Sequence, residues 1–277
     1  KEGQIMKIRT GIEKLGKGMI LLIFSIFTIF PFVWMILSAL KTKAEIMDVR
    51  SFFPAEFQWH NFYQVIFESP LLRYVGNSLF VSVITLALQI VTGAMIAYAI
   101  VFMNFKGKKA LFAVIMGTYM LPTAATYIPS YIILANWNLL NTFTGLIISN
   151  CVSIFGIFLL RQAFMQVPMG LIEAARIDGL SEVGIFFRMF IPTMKSTYAA
   201  ATIITFMGAW NNYLWPKVIL QNKDAITMPM LVANLLGNYT VDYGMLMLGV
   251  FICTIPTAII FFAFQKSFTE GITGAVK

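Results

Sequence analysis

Apolar residues run almost unbroken through six stretches of the chain, residues 19–40, 76–103, 110–135, 145–160, 197–215 and 243–265, none of which contains Lys, Arg, Asp or Glu. A helix crosses a hydrocarbon core of about 30 Å with about 20 such residues, so the pattern predicts six transmembrane helices. The fourth and fifth stretches are short by that measure, which predicts that their helices reach into the flanking polar residues. Membrane-crossing strands take about ten residues and alternate in polarity, whereas runs such as 19–29 and 79–87 do not alternate cleanly. The chain therefore reads as an all-α polytopic membrane protein. Pro31, Pro122, Pro129 and Pro256 fall inside the stretches and are expected to kink them. The first stretch is too long and too late for a cleaved signal peptide, so it is expected to stay in the mature protein. No strong repeat, low-complexity tract or Pro/Ser-rich linker divides residues 1–277, which read as one domain.

Composition excludes the alternatives to a membrane. The chain is 59% hydrophobic and 12% charged, against about 45–50% and about 25% in soluble domains. A soluble globule of this make-up would expose large apolar patches, and disorder is excluded more firmly still. The net charge of +8 does not indicate nucleic acid, because the positive residues sit in short gaps between apolar runs rather than on one basic face. Counted by connection, 14 Lys and Arg fall in residues 1–18, 104–109, 161–196 and 266–277, and 6 fall in the intervening connections. The excess marks the cytoplasmic side, so both termini are expected there. Cys151 and Cys253 lie in apolar stretches with no metal-ligand spacing and read as packing thiols.

The chemistry missing from the spans is as informative. Ion- and proton-coupled carriers generally place an ionisable residue within the membrane, and these stretches have none, which disfavours a stand-alone secondary carrier. The only histidine, His60, lies in the first outside connection, so no membrane-buried Ser–His pair can be built, and no phosphate-binding loop or Cys/His metal cluster is present. Uncharged polar residues do occur in or near the spans: Gln89, Asn136, Asn150, Gln162, Asn211, Asn212 and Gln265. They read either as interhelical hydrogen-bonding groups or as the lining of a hydrated pathway. The second reading is strongest where Asn211 and Asn212 sit between Trp210 and Tyr213, a mixture of amides and ring faces that suits a sugar.

The connection over residues 161–196 is too apolar for a solvated loop and too charged to span a bilayer. Pro168 predicts a helix start, Asp178-Gly179 a stop, and Ser181 the cap of a second short helix running through Phe186–Met189. Pro192 punctuates the return to the membrane. The result is a helix–turn–helix elbow, read with Ala174 and Ala175 on its surface and with Glu173 and Asp178 as acceptors for a partner. An amphipathic helix resting on lipid is the alternative, but such helices favour Lys and Arg, and Glu173, Asp178 and Glu182 nearly balance Arg176 and Arg188 here.

The run Glu173-Ala174-Ala175, then Asp178-Gly179, then Ile191-Pro192 resembles the EAA loop of the membrane subunits of binding-protein-dependent ABC importers. The spacing matches, with Met189 and Ile191 as hydrophobic replacements and Ile172 where an acidic residue commonly precedes the motif. Asn77-Ser78, Trp210-Asn211-Asn212 with Pro216, Met228-Pro229, and the ending Phe264-Gln265-Lys266 with Gly271-Ile272-Thr273-Gly274-Ala275-Val276-Lys277 resemble the sugar-importing members, of the MalG-type six-span class. The resemblance implies a multi-pass permease of the bacterial inner membrane that pairs with a second, homologous permease. Two cytoplasmic ABC ATPase subunits would bind ATP and magnesium, leaving this chain without a cofactor or catalytic residue, and an extracytoplasmic solute-binding protein would deliver a carbohydrate. It further implies that Glu173, Ala174, Ala175, Asp178 and Gly179 couple to an ATPase, with Gly179 permitting the turn and Asp178 shaping it. Asn211, Asn212 and Tyr213 are candidates for the substrate pathway. The outside connection over residues 41–75, with four basic and four acidic residues plus Trp59, His60 and Phe62, is a candidate contact for the binding protein. A non-transporting scaffold that uses the elbow to recruit a partner is the remaining alternative.

Overall fold

A computed structural model describes residues 2–48, 50–237 and 243–274. The tail residues Ala275, Val276 and Lys277, and the first lysine counted for topology, Lys1, lie outside the described residues. Among the described residues fifteen α-helices follow one another: α1 (Glu2–Ala39), α2 (Lys43–Met47), α3 (Trp59–Tyr63), α4 (Leu71–Phe102), α5 (Lys108–Tyr119), α6 (Thr123–Asn136), α7 (Phe143–Ser149), α8 (Ile154–Phe164), α9 (Met169–Ile177), α10 (Glu182–Ile185), α11 (Ile191–Thr193), α12 (Lys195–Trp210), α13 (Leu214–Ile219), α14 (Met228–Gly237) and α15 (Tyr243–Gly274). No strand occurs among the described residues.

Among the described residues three helices are long and apolar enough to cross a membrane, at Lys14–Ala39, Leu71–Phe102 and Tyr243–Thr269, and the number rises to five if each of the bent pairs α5–α6 and α7–α8 is one span. Three expected helices are interrupted. The stretch at 110–135 bends by 103° between α5 and α6. Pro122 sits at that bend as the cap residue of α6, where its missing N–H and fixed φ suit a helix start better than a helix interior. Pro31, Pro129 and Pro256 lie within continuous helices. The stretch at 145–160 bends by 43°; Ser153 restarts it by accepting a hydrogen bond from the Gly156 N–H at 3.1 Å. It does extend outward, from Phe143 to Phe164. The fifth expected helix, 197–215, ends early at Trp210, leaving a 16-residue α12 and a break before α13.

The contacts group into two units, Lys1–Pro70 with Leu235–Ile252, and Leu71–Asn234 with Cys253–Lys277. In the first, the apolar side chains of α1 from Met19 to Phe30 are exposed, as a lipid-facing helix requires. Its end is fixed where the Lys41 ammonium donates to the Ser51 carbonyl and lies 4.6 Å from the Trp34 ring centroid. A capping box then starts α2. Glu45 accepts from the Thr42 N–H at 2.8 Å and the Ala55 N–H at 2.7 Å, and these donors, Ala55 first, hold its carboxyl below the usual range.

In the second unit α4 is the spine, packed against α8 and α12. Small residues (Gly93, Ala94 and Ala97) let α8 approach it closely. One core lies where the ends of α4 and α8 meet the elbow, built on Tyr98, Phe102, Phe164, Phe186 and Phe190. The Tyr98 ring stands 5.6 Å from Phe186 and 5.3 Å from Phe190, edge to face. The other core surrounds Trp215, which stacks on Tyr127 at 5.1 Å.

Candidate functional site

The elbow forms as its punctuation predicts. Helix α9 starts after Pro168 and is capped by Asp178. Gly179 then takes φ +82°, the left-handed conformation that lets its N–H reach the Arg176 carbonyl at 3.1 Å and the Leu180 N–H reach the Ala175 carbonyl at 3.0 Å. This is a Schellman turn, with Leu180 packed against the core behind it. Ser181 caps α10 by accepting from the Gly184 N–H at 3.2 Å. The second arm is longer than expected, continuing through a π-helical turn at Phe186–Phe190 and α11, and breaks at Met194 rather than at Pro192.

Packing divides the candidate coupling residues. Glu173, Ala174, Asp178 and Gly179 are exposed. Ala175 is not on the surface as expected; it is 3% exposed in the core beside Ile172, which is fully buried. The Ile172 position therefore faces inward, and its apolar character serves packing rather than removing a contact from the outer face. The outer face carries apolar groups as well: Ile177 is 86% exposed, with Val183 and Phe187 also open. Hydrophobicity alone could not flag Ile177, because its neighbour in the pattern, Ile172, is equally apolar.

A polar network, unanticipated from the sequence, fastens the elbow to α4. The Arg176 Nε donates to Glu182 Oε1 at 2.7 Å, the Tyr98 hydroxyl donates to Oε2 at 2.6 Å, and Arg176 Nη2 donates to the Phe102 carbonyl at 3.3 Å. Both carboxylate oxygens are thus engaged, and a last-turn carbonyl of α4 gains a cationic partner. Arg176 first, then Tyr98, holds the Glu182 carboxyl below its usual range. A depressed carboxylate stabilises above its unfolded-state pKa and loses that contribution as pH falls through its folded value. Hydrogen-exchange protection of the α9 and α10 amides should therefore drop in acid below the ordinary carboxylate range. Tyr98→Phe should lower that protection modestly at neutral pH, by about 1 kcal/mol for one hydrogen bond.

A second candidate site is a cavity of about 410 Å³ in the same unit, walled by α4, the α7–α8 junction, α12 and the segment before α14. Helix α4 contributes Ser78, Ser82, Thr85 and Gln89, at i, i+4, i+7 and i+11, one face of a helix. Gln89 donates to the Asn150 carbonyl at 2.7 Å, holding the chain where α7 breaks from α8. Ser78 accepts from the Met228 N–H at 2.7 Å, and Asn77 donates to the Asp224 and Ile226 carbonyls at 2.8 and 2.9 Å. Arg73 also pairs with Asp224. The hydroxyls of Thr85 and Thr227 are buried without a hydrogen-bond partner among the described residues.

Of the pathway candidates, only Asn212 lines this cavity. Asn211 is exposed outside it. Tyr213 packs against the core around Trp215, and its hydroxyl accepts from Lys217 at 2.7 Å. Among the other amides, Gln89 and Asn150 line the cavity. Ser82 and Thr85 were missed because short hydroxylated residues barely interrupt an apolar run. Their helical spacing in the sequence is the signal that could have found them.

Residues 89–274 match the family of inner membrane components of binding-protein-dependent transport systems. The lactose transport system permease protein LacG of Rhizobium radiobacter is 36% identical over 90% of this chain and 91% of its own length. The arabinooligosaccharides transport system permease protein AraQ of Bacillus subtilis is 31% identical over 96% of both. A bacterial ABC transporter involved in the import of the acidic polysaccharide alginate has a chain with the same fold, at TM-score 0.80 and 22% identity, over 93% of this chain and 96% of that one. With the elbow and its glycine turn in place, these likenesses extend over nearly the whole sequence, and the chain belongs to the family of inner-membrane permease components of binding-protein-dependent ABC importers.

Proposed function

We propose that this permease crosses the membrane six times with both termini in the cytoplasm and forms, with a second homologous permease, the pathway of an ATP-driven carbohydrate importer. The sugar class is supported by relatives that carry lactose and arabinooligosaccharides. The observation that carries the coupling role is the elbow: a rigid glycine turn whose outer face holds Glu173, Ala174, Asp178, Gly179 and the bare side chain of Ile177. Such a face offers a partner close backbone approach, acceptors for its donors and an apolar knob for a pocket. One of two ATPase subunits docks there, the pair holding ATP and magnesium, so nucleotide-driven closure moves the elbow. A solute-binding protein delivers the sugar outside, where Trp59 and His60 are exposed. Nucleotide on one side and loaded binding protein on the other then bias one two-state element. Ala175 acts in this scheme by packing the elbow, and Asn212 by facing the pathway.

The test is a gentle-detergent pull-down of the chain from its native membrane with mass spectrometry of its companions. An ATPase and a second permease should be recovered, and the ATPase should be lost in Gly179→Val combined with Glu173→Ala. Recovery of the chain alone would return a secondary carrier to first place. Topology has its own readout: alkaline phosphatase fused after residues 50, 140 or 222 should be active, and after 106, 180 or the C-terminus inactive.

A further inference from the structure

We infer that the cavity along α4 is a subsite on this chain itself for a neutral, polyhydroxylated ligand, with the Thr85 and Thr227 hydroxyls among its binding groups. The inference deepens the importer reading and rests on it for the ligand's being cargo. Three observations carry it. First, both hydroxyls lack a hydrogen-bond partner among the described residues, and both residues are buried, Thr85 at 2% and Thr227 at 4% exposed. Native proteins rarely leave such groups unmet unless a ligand or water meets them. Second, among the described residues no Asp, Glu, Lys, Arg or His lines the cavity. A carboxylate or phosphate brought there would lose part of its hydration and find no counter-charge, whereas hydroxyl groups need only donors and acceptors. Third, the polar groups are spread along the wall rather than gathered at a point. From Ser78 to Gln89 they cover about 16 Å at 1.5 Å per residue, and the amide residues Asn150 and Asn212 line the same cavity. A row of hydroxyls and amides matches a sugar, whose ring edge carries a comparable row of O–H groups, each both donor and acceptor. The volume of about 410 Å³ falls in the range of small-molecule sites.

The site separates this chain from what a fold likeness alone would suggest, since the alginate importer takes an acidic polymer. Equilibrium binding of tritiated lactose and of tritiated arabinotriose decides the matter, measured on the purified full chain in nanodiscs with unlabelled digalacturonate as an acidic competitor. At least one of the neutral sugars should bind saturably, and digalacturonate should not displace it. Thr85→Val and Thr227→Val should each weaken that binding about fivefold to tenfold, the loss of one hydrogen bond. Thr85→Ser, which keeps the hydroxyl, should stay within about twofold. Saturable binding of neither sugar, displacement by digalacturonate, or valine variants that bind like the parent would overturn the assignment and leave the hydroxyls to water. Failure of the importer reading looks different, because the ATPase would be missing from the pull-down while sugar binding to the isolated chain persisted.

Discussion

Replacing Gly179 with valine should cut ATP-driven uptake by the assembled importer at least tenfold while the chain still accumulates in the membrane at close to its normal level. Gly179 sits at φ +82°, and a residue with a side chain there costs about 1–2 kcal/mol, more when it is β-branched. A Cβ built at this position meets nothing within 4 Å, so no core packing is disturbed. The cost falls on the turn itself, which either opens or swings the exposed face of α9 away from its docked position. Asn enters the left-handed region more readily than other non-glycine residues, so Gly179→Asn should retain much of the uptake that Gly179→Val loses. Equal loss in the two variants would point to steric blockage of a partner rather than to backbone conformation. Transport assays on proteoliposomes of the complete complex make the comparison.

The second large effect contrasts two isoleucines five residues apart. Ile177 is 86% exposed and Ile172 is fully buried. Ile177→Glu should leave folding and membrane insertion intact but detach the ATPase, since covering an isoleucine side chain contributes about 2–3 kcal/mol and a charge left in that pocket opposes docking. A hundredfold loss of ATPase affinity corresponds to about 2.7 kcal/mol. Ile172→Glu places its charge among Ala97, Phe102 and Phe190, and should reduce the amount of folded chain itself. Microscale thermophoresis of detergent-solubilised permease with purified ATPase, beside a measure of monodisperse yield, separates the two outcomes. An Ile177→Glu variant that binds the ATPase normally would remove this face from the interface.

The elbow was legible because its punctuation is local. Pro168, Asp178-Gly179 and Ser181 act through their own backbones, and no distant residue has to be known to place them. The inward turn of Ala175 was not legible, because a nine-residue helix has its rotation fixed by the core it meets, here Tyr98, Phe164 and Phe190 from other helices. Nor could spacing foresee the pair of Arg176 and Glu182, which face each other only because the chain reverses between them. Apolar length located the long helices α1, α4 and α15, and proline marked the bend at Pro122, but neither told why the chain turns by 103° there while Pro129, a short way on, stays inside α6. Nor could the sequence tell where Tyr213 lies: it packs beside the core around Trp215, with Lys217, one turn later, reaching its hydroxyl and lying over its ring.

The unbroken course of α4 has a mechanical consequence. Its 32 residues make a shaft about 48 Å long, gripped at one end by Arg176 and Glu182 of the elbow and bearing Thr85 partway along. A shaft without a hinge cannot absorb a push at its end by bending locally, so it tilts or turns as one piece. Force applied at the elbow through the Tyr98 and Phe102 grip would therefore arrive at the polar stripe as a change of angle, with the amplitude at each stripe residue set by its distance from the pivot.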